Sequence, residues 1–229
     1  MIEKMPGVNY YAIIVAGGSG SRMQSAIPKQ FLLLNGLPVI MHTISAFHHS
    51  KSIPEIIVVL HADFHQYWED LCTTHKFHIA HQLVTGGEHR FHSVKNGLKS
   101  IKEPALVAIH DAVRPCISHE LIDSAFKLAG ETGNAVVAVK SRDSVRQKTQ
   151  TGTKSLDRND IYLIQTPQVF RSEILDKAYA KEYKVEFTDD ASVVESSGVE
   201  IHLMEGDTRN LKITYPEDIL VAQSYLAEK

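Results

Sequence analysis

The chain has two cysteines in 229 residues, Cys72 and Cys116. They are too few for a disulfide framework and lack Cys-x-x-Cys spacing, which agrees with a reducing compartment and gives neither a role. No run approaches the roughly 18 apolar residues that a membrane span requires, and no apolar stretch of signal-peptide type stands near the N-terminus. The expectation is a cytoplasmic protein with no membrane partner. Excess charge of one sign is missing too. With 24 Lys and Arg against 27 Asp and Glu the formal net charge is −3, so nothing draws the whole surface to nucleic acid, and an anionic ligand must be met by a local cluster. Zinc is not indicated despite 13 histidines. His61-x-x-x-His65 could set two imidazoles on one helical face, but no Glu adjoins His61, no cysteine pair is present, and the other histidines are scattered. The most telling absence is local: from Lys4 to Pro54 there is no carboxylate, while Lys4, Arg22, Lys29 and Lys51 fall inside that stretch. Nothing there opposes a highly charged anion.

Within this carboxylate-free stretch an apolar run, Tyr11 to Val15, is followed by Ala16-Gly17-Gly18-Ser19-Gly20-Ser21-Arg22-Met23 and then Pro28-Lys29. Small residues let backbone N–H groups approach anionic oxygens closely, and Arg22 and Lys29 add full charges to those dipoles. The segment reads as a polyphosphate cradle. It is not a P-loop, because Lys29 follows Pro28 and has no adjacent hydroxyl residue to hold magnesium. A dinucleotide-binding fingerprint fits only in part. Gly18-x-Gly20 is present, but Met23 stands where the third glycine belongs, and the next carboxylate after Glu3 is Glu55.

With 43% apolar residues the chain can bury the core of one large domain, and a single domain over residues 1–229 is expected. Short, continuous apolar runs recur at Tyr11–Val15, Ile56–Leu60, Ile79–Val84, Ala105–Ile109 and Ala135–Val139, as suits strands buried on both faces. Segments of helical period lie between or beside them: Pro38–His49, Phe64–His75, Arg90–Ile101 and Glu120–Ala129. This order predicts an α/β fold, a mostly parallel sheet with helices on both faces. Ligands in such folds gather outside the carboxyl ends of the strands, where the sequence places the glycine loop, Gly86-Gly87, and His110-Asp111-Ala112-Val113-Arg114-Pro115. Residues 141–160 differ: Val145 and Leu156 are their only strongly apolar residues, and weak alternation flanks Thr151-Gly152. That predicts a polar two-stranded hairpin arm. A lone hairpin is marginal in water, so the arm is expected to rest on a second copy of the chain, making a homodimer. After it, Gln165 to Phe170 returns to the body, Arg171–Tyr183 and Pro216–Ala227 read as helices, and Ile201–Met204 reads as a short strand.

Asp111 closes an apolar strand, where its carboxylate could hold a metal or a ribose hydroxyl or serve as a turn former. Arg114 and Arg209-Asn210-Leu211-Lys212 add cations, each of which taken singly reads as a solvated surface charge and matters only if it converges on the glycine loop. Thr188-Asp189-Asp190 reads as a helix opening with Thr188 as N-cap, an end that can also receive a phosphate.

Together the motifs Ala16-Gly17-Gly18-x-Gly20-x-Arg22-Met23, Pro28-Lys29-Gln30, Gly86-Gly87-x-x-Arg90-x-x-Ser93-Val94, His110 to Pro115, Asp157-Arg158, Thr166-Pro167-Gln168, Thr188-Asp189-Asp190-Ala191-Ser192 and Asn210-Leu211-Lys212 resemble the 2-C-methyl-D-erythritol 4-phosphate cytidylyltransferases. The resemblance covers nearly the whole chain. It implies a three-layer Rossmann-like nucleotidyltransferase fold with a protruding arm, and CMP transfer from CTP to a sugar-alcohol phosphate. Arg22 and Lys29 would grip the CTP phosphates and stabilise the transition state, while Gly87, Glu88 and Ser93 would read cytosine, helped by the backbone of Ala16, Gly17 and Gly18. Asp111, Ala112, Arg114, Thr166, Thr188 and Lys212 would meet the acceptor, and the arm would bring Arg158 to a neighbour's site. Magnesium is the implied cofactor, with Asp111 its implied protein contact. Val15-Ala16-Gly17-Gly18 and Val113 look more like the related ribitol 5-phosphate cytidylyltransferases, and Glu88 stands where aspartate is usual. Phe91-His92-Ser93-Val94, Asp157-Arg158 and the Thr188 motif point back to the methylerythritol enzyme. A non-catalytic nucleotide-sensing module is the alternative of another class, but paired cation clusters far apart in the chain suit a two-substrate reaction better.

Overall fold

A computed structural model describes residues 5–17 and 27–228. The central sheet begins with β1 (Asn9–Val15), and after a short ribbon of β2 (Leu33–Leu34) and β3 (Leu37–Pro38) come α1 (Val39–His48), β4 (Glu55–Leu60), α2 (His65–Thr74), β5 (Gln82–Thr85), α3 (Arg90–Leu98) and β6 (Ala105–Asp111). The second half supplies α4 (His119–Thr132), β7 (Asn134–Lys140), β8 (Val145–Thr149), β9 (Gly152–Leu156), β10 (Tyr162–Arg171), α5 (Ser172–Tyr179), α6 (Asp190–Glu195), β11 (Leu203–Glu205) and α7 (Glu217–Ala227). Seven strands pair in the order β11-β7-β10-β6-β1-β4-β5. All run parallel except β10, which is antiparallel to both β6 and β7.

Side chains alternate across a strand with period two, so a strand covered on both faces feeds two cores at once. Ala12 and Ile14 of β1, Val58 and Leu60 of β4, and Leu106 and Ala108 of β6 pack with α1 and α4 on one side. Tyr11 and Ile13, Ile57 and Val59, and Val107 and Ile109 pack with α3, α5 and α6 on the other. This is why the apolar runs are continuous. Helix α4 shows how local chemistry sets the ends: Ser118 accepts from the Leu121 N–H at its start, and Gly133 closes it at φ 96°, a left-handed turn that glycine adopts without strain.

Two expectations need correction. The run Ile79–Val84 is not a buried strand. Strand β5 covers only Gln82–Thr85 and forms the partly exposed sheet edge, because Ile79 turns into the core and its carbonyl bonds the His81 ring at 2.7 Å. Helix α5 ends at Tyr179 rather than Tyr183. The segment Gln165–Phe170 does return to the body, as part of the ten-residue β10 between β6 and β7. Within residues 141–160, β8 and β9 make a separate antiparallel pair, with Val145 facing Leu156 and Thr149 facing Gly152. No helix among the described residues is long and apolar enough to cross a membrane.

Candidate active site

Strands β1 and β6 end side by side, Val15 opposite Asp111, and the loops beyond them form the site. His110 is fully buried. Burial pulls its imidazole down to about 3, although the Asp111 carboxylate opposes the shift, so the ring is neutral. A neutral ring has one donor and one acceptor nitrogen, and its neighbours assign them. The Arg114 carbonyl, 3.3 Å from Nε2, can only accept, so Nε2 carries the proton. Nδ1 then accepts from the Thr166 hydroxyl at 3.0 Å, and the Thr166 Oγ1 in turn accepts the Asp111 N–H at 3.1 Å. This chain of bonds fixes the backbone of Asp111 and ties β6 to β10.

The Asp111 carboxylate stands among cations. Its Oδ2 lies 3.0 Å from Lys212 Nζ and 3.2 Å from Arg114 Nε, and its Oδ1 lies 3.7 Å from Arg90 Nε. Burial would favour the neutral acid, yet Arg90, Lys212 and Arg114 hold the carboxyl ionised, well below the usual carboxylate range. Arg114 is locked by a second bond from Nη1 to the Asn210 carbonyl at 2.8 Å. Asn210, fully buried, donates to the Thr166 carbonyl at 2.8 Å. The C-terminal Asn210-Leu211-Lys212 segment is thus fastened to β10 and to the turn after β6. Arg90 forks onto Asp190 with bonds of 2.8 and 2.7 Å. Burial acts against its charge, but Asp190 and Asp111 more than compensate and keep the guanidinium charged. These residues line a cavity of about 350 Å³ with Gln165, Thr166, Gln168, Thr188 and Asp189.

The two glycine loops meet beside Ser93, on the same helix as Arg90. A side-chain carbon added at Gly17 would come 3.4 Å from Ser93 Oγ, and one at Gly86 would come 3.2 Å from it. Ser93 Oγ also accepts the Gly87 N–H at 3.0 Å, so the two glycine loops meet at one hydroxyl. Gly87 has no room for a substituent, since a carbon there would lie 2.4 Å from His92 Cβ. Ala16 is built into the frame: its N–H bonds the Val59 carbonyl and its own carbonyl accepts from Gln30 at 2.7 Å. Ala112 is equally enclosed, bonding Val15 and Thr43 through its backbone. Lys29 is buried, with Nζ 2.8 Å from the Ile213 carbonyl, which brings the glycine-loop cation to the residue after Lys212. Glu88 is exposed. Gly18 and Arg22 lie outside the described residues.

The profile of the 2-C-methyl-D-erythritol 4-phosphate cytidylyltransferase (IspD) family matches residues 10–228. The chain belongs to this family. It is therefore a nucleotidyltransferase, as the paired cation clusters suggest. A protein of that name from Phocaeicola vulgatus is 48% identical over 217 residues, covering 94% of this chain and 99% of its own. One from Bacteroides thetaiotaomicron is 45% identical over 214 residues, covering 93% and 98%. Among solved structures, 4-diphosphocytidyl-2C-methyl-D-erythritol synthase from Anaerococcus prevotii superposes with a TM-score of 0.82 at 31% identity, over 96% of this chain and 97% of that one. The Thermus thermophilus cytidylyltransferase gives 0.76 at 27% identity, over 97% and 100%.

Two details of this cytidylyltransferase differ from the sequence reading. Thr188 is not a helix cap. It is exposed, and Asp189 caps α6, accepting the Ser192 N–H at 2.9 Å while its own N–H bonds Ser192 Oγ at 3.2 Å. An Asp-x-x-Ser pair satisfies both ends of that exchange, which a threonine one residue earlier cannot. With the Ala191 N–H already bonded to Gln168 at 2.7 Å, this short helix end is occupied by the protein itself. Arg158 is not in the cavity lining. It sits at the base of the arm, donating to the Arg142 carbonyl at 3.2 Å. Sequence reasoning assigned no role to Gln168, Asp190 or Arg90. The signal for Arg90 was its position three residues before Ser93, one turn along the same helix face.

Proposed function

We propose that the crevice above β1 and β6 is where this chain transfers CMP from CTP to 2-C-methyl-D-erythritol 4-phosphate, releasing pyrophosphate. The observation that carries the reading is adjacency. Ser93 joins both glycine loops, and Arg90, one turn earlier on α3, reaches the Asp111 cluster. A nucleotide seated on Gly17, Gly87, Glu88 and Ser93 thus ends beside a cavity edged by Arg90, Arg114 and Lys212. Family membership and the relatives named for the methylerythritol substrate favour that acceptor over ribitol 5-phosphate.

In this reading a phosphate oxygen of the acceptor attacks the α-phosphorus of CTP in line with departing pyrophosphate. The attacking phosphate is already ionised near neutral pH, so no general base is needed. The protein's work is to bring two polyanions together and stabilise the charge that develops. Lys29 and Arg22 act on the triphosphate. Lys212 and Arg114, oriented by Asp111, receive the acceptor beside Thr166 and Thr188. Arg158 enters from a second copy, in a cytoplasmic homodimer.

The donor set suits magnesium of one kind. Among the described residues no three His, Cys, Asp or Glu side chains gather to hold a metal. An ion carried on the triphosphate needs only one carboxylate. Asp111, at the cavity edge, would supply it as a ligand or an outer-shell contact. When bound, magnesium would neutralise charge on the phosphate oxygens.

Pyrophosphate release from CTP and magnesium tests the reading. We expect methylerythritol phosphate to support a rate well above that with ribitol 5-phosphate. Equal rates or the reverse order would overturn the acceptor assignment.

A further inference from the structure

Arg90 is held in place more firmly than a side chain needs to be simply to neutralise a carboxylate. Its partner Asp190 is fully buried and is bonded a second time by the Tyr179 hydroxyl, 2.6 Å from Oδ1. The next residue, Ala191, is pinned by its N–H to Gln168 Oε1 at 2.7 Å, and Gln168 Nε2 bonds the Asp189 carboxylate at 2.9 Å. Asp190 is therefore a fixed anchor on α6, and both bonds of the Arg90 fork are spent on it. What remains is Nε, 3.7 Å from Asp111 Oδ1. The other carboxylate oxygen takes Lys212 and Arg114. Arg90 thus sits on the one side of Asp111 that the acceptor-side cations leave open, and it does so from the first residue of α3, a turn before the Ser93 hydroxyl that joins the glycine loops.

A buried ion pair contributes little net stability compared with apolar packing of the same volume, so its presence calls for another reason. The arrangement here suggests one. Asp111 could turn toward Lys212 and Arg114 entirely, spending both oxygens on them and lowering their pull on a phosphate. A cation anchored on the opposite side draws Oδ1 away and leaves Lys212 with a single contact.

We propose that Arg90, anchored by Asp190, is a positioning residue for the acceptor half of the reaction: it orients Asp111 so that Lys212 and Arg114 face the acceptor phosphate. This rests on the acceptor site assigned above. The hydrogen bonds that tie Ser93 to the glycine loops run to Gly87 and His89 and do not involve the Arg90 side chain. Replacement of Arg90 by lysine keeps the charge but cannot fork onto Asp190 and reach Asp111 together. Loss of a charge-assisted contact that orients another group corresponds to about 10- to 100-fold.

The experiment is steady-state kinetics of the full-length protein with both substrates varied. The wild-type rate on methylerythritol phosphate comes first, because its absence would refute the proposed function and leave nothing for Arg90 to position. Given that rate, Arg90→Lys is expected to lower kcat/KM for the acceptor about 10- to 100-fold while KM for CTP changes less than about threefold. Equal losses toward both substrates, or no loss, would overturn the proposal, since a structural role disturbs both halves alike. Asp111→Asn supplies the second arm. If Arg90 acts through Asp111, the double variant should be about as impaired as Asp111→Asn alone, whereas additive losses would place Arg90 in some other role. Thermal melts of each variant confirm that folded protein is being compared.

Discussion

The neutral state of His110 gives a stability prediction with a definite sign. An ordinary histidine titrates near 6.5, whereas burial holds this one at about 3 in the folded chain. Between those values the unfolded chain binds a proton that the folded chain refuses. A depressed histidine therefore leaves stability intact above pH 6.5 and removes it as the pH falls. The slope is about 1.4 kcal/mol per pH unit for one proton. Lowering the pH from 7.5 to 5.0 should cost about 2 kcal/mol through this residue alone, most of it below pH 6.5. The result hardly depends on how far below 5 the folded group titrates. The assay is urea unfolding followed by fluorescence of Trp68, the single and fully buried tryptophan, at fixed protein concentration because association would add its own dependence. His110→Gln is the comparison: its amide can still donate to the Arg114 carbonyl, but it does not titrate. Its absolute stability will shift, so the quantity read is the loss between the two pH values. Wild type should lose about 2 kcal/mol more than the variant. Equal losses would refute the assignment of a neutral, proton-refusing ring and the hydrogen-bond directions built on it.

Lys29→Met keeps most of the buried stem while removing the charge, and kcat should fall about 10²- to 10³-fold, the usual cost of losing one group that stabilises developing charge; an unchanged kcat with a raised KM for CTP would show that Lys29 only binds. For the arm, mixed dimers of Lys29→Met and Arg158→Ala chains should regain about a quarter of wild-type activity, since half of randomly assorted two-fold dimers carry one intact shared site. Activity that stays at homodimer level once mass spectrometry has shown mixed dimers would mean that Arg158 serves its own chain or none.

The parts of the fold legible in the sequence are those where one local signal decides the outcome. Strands β1, β4 and β6 announce themselves because both faces are buried and each carries a continuous apolar run, Tyr11–Val15, Ile56–Leu60 and Ala105–Ile109. Strand β10 was hidden because its register shifts between Ile164 and Gln168 and its polar Gln165, Thr166 and Gln168 are spent on bonds to distant segments. No period survives in such a strand. At the site, Asp111 and Arg114 could be named because charge beside a strand end is conspicuous, and Lys212 because it stands in a cation-bearing segment that matches a family motif. Their direct bonding through one Asp111 oxygen could not, since 97 residues of chain lie between Arg114 and Lys212. Arg90, Asp190 and Gln168 were missed on the same ground: what makes them interesting is which partner each one meets.

The balance of charge bears on where the missing cations come from. Arg90, Arg114 and Lys212 edge the cavity, but Asp111 and Asp189 edge it too, and Asp190 stands directly behind Arg90. Three cations meet three carboxylates, so this lining offers a doubly charged phosphate little net attraction of its own. Lys29 approaches from the glycine loop, yet the triphosphate must compete for it. The arm is the opposite case. Residues 141–160 hold Arg142, Arg146, Lys148, Lys154 and Arg158 against Asp143, Asp157 and Asp160, a surplus of positive charge on a chain that is negative overall. Among the described residues none of those five cations lies within 4.0 Å of a carboxylate. A polar hairpin that buries almost nothing gains little by folding alone. Laid across a neighbour's balanced crevice, it would gain a packing surface and supply the charge that the crevice lacks, with Arg158 at its base nearest the body. That complementarity is the physical case for a shared site, and it sets the direction of the salt effect: acceptor KM should rise with ionic strength more steeply in wild type than in Arg158→Ala, because the variant has already lost the long-range cation that salt would screen.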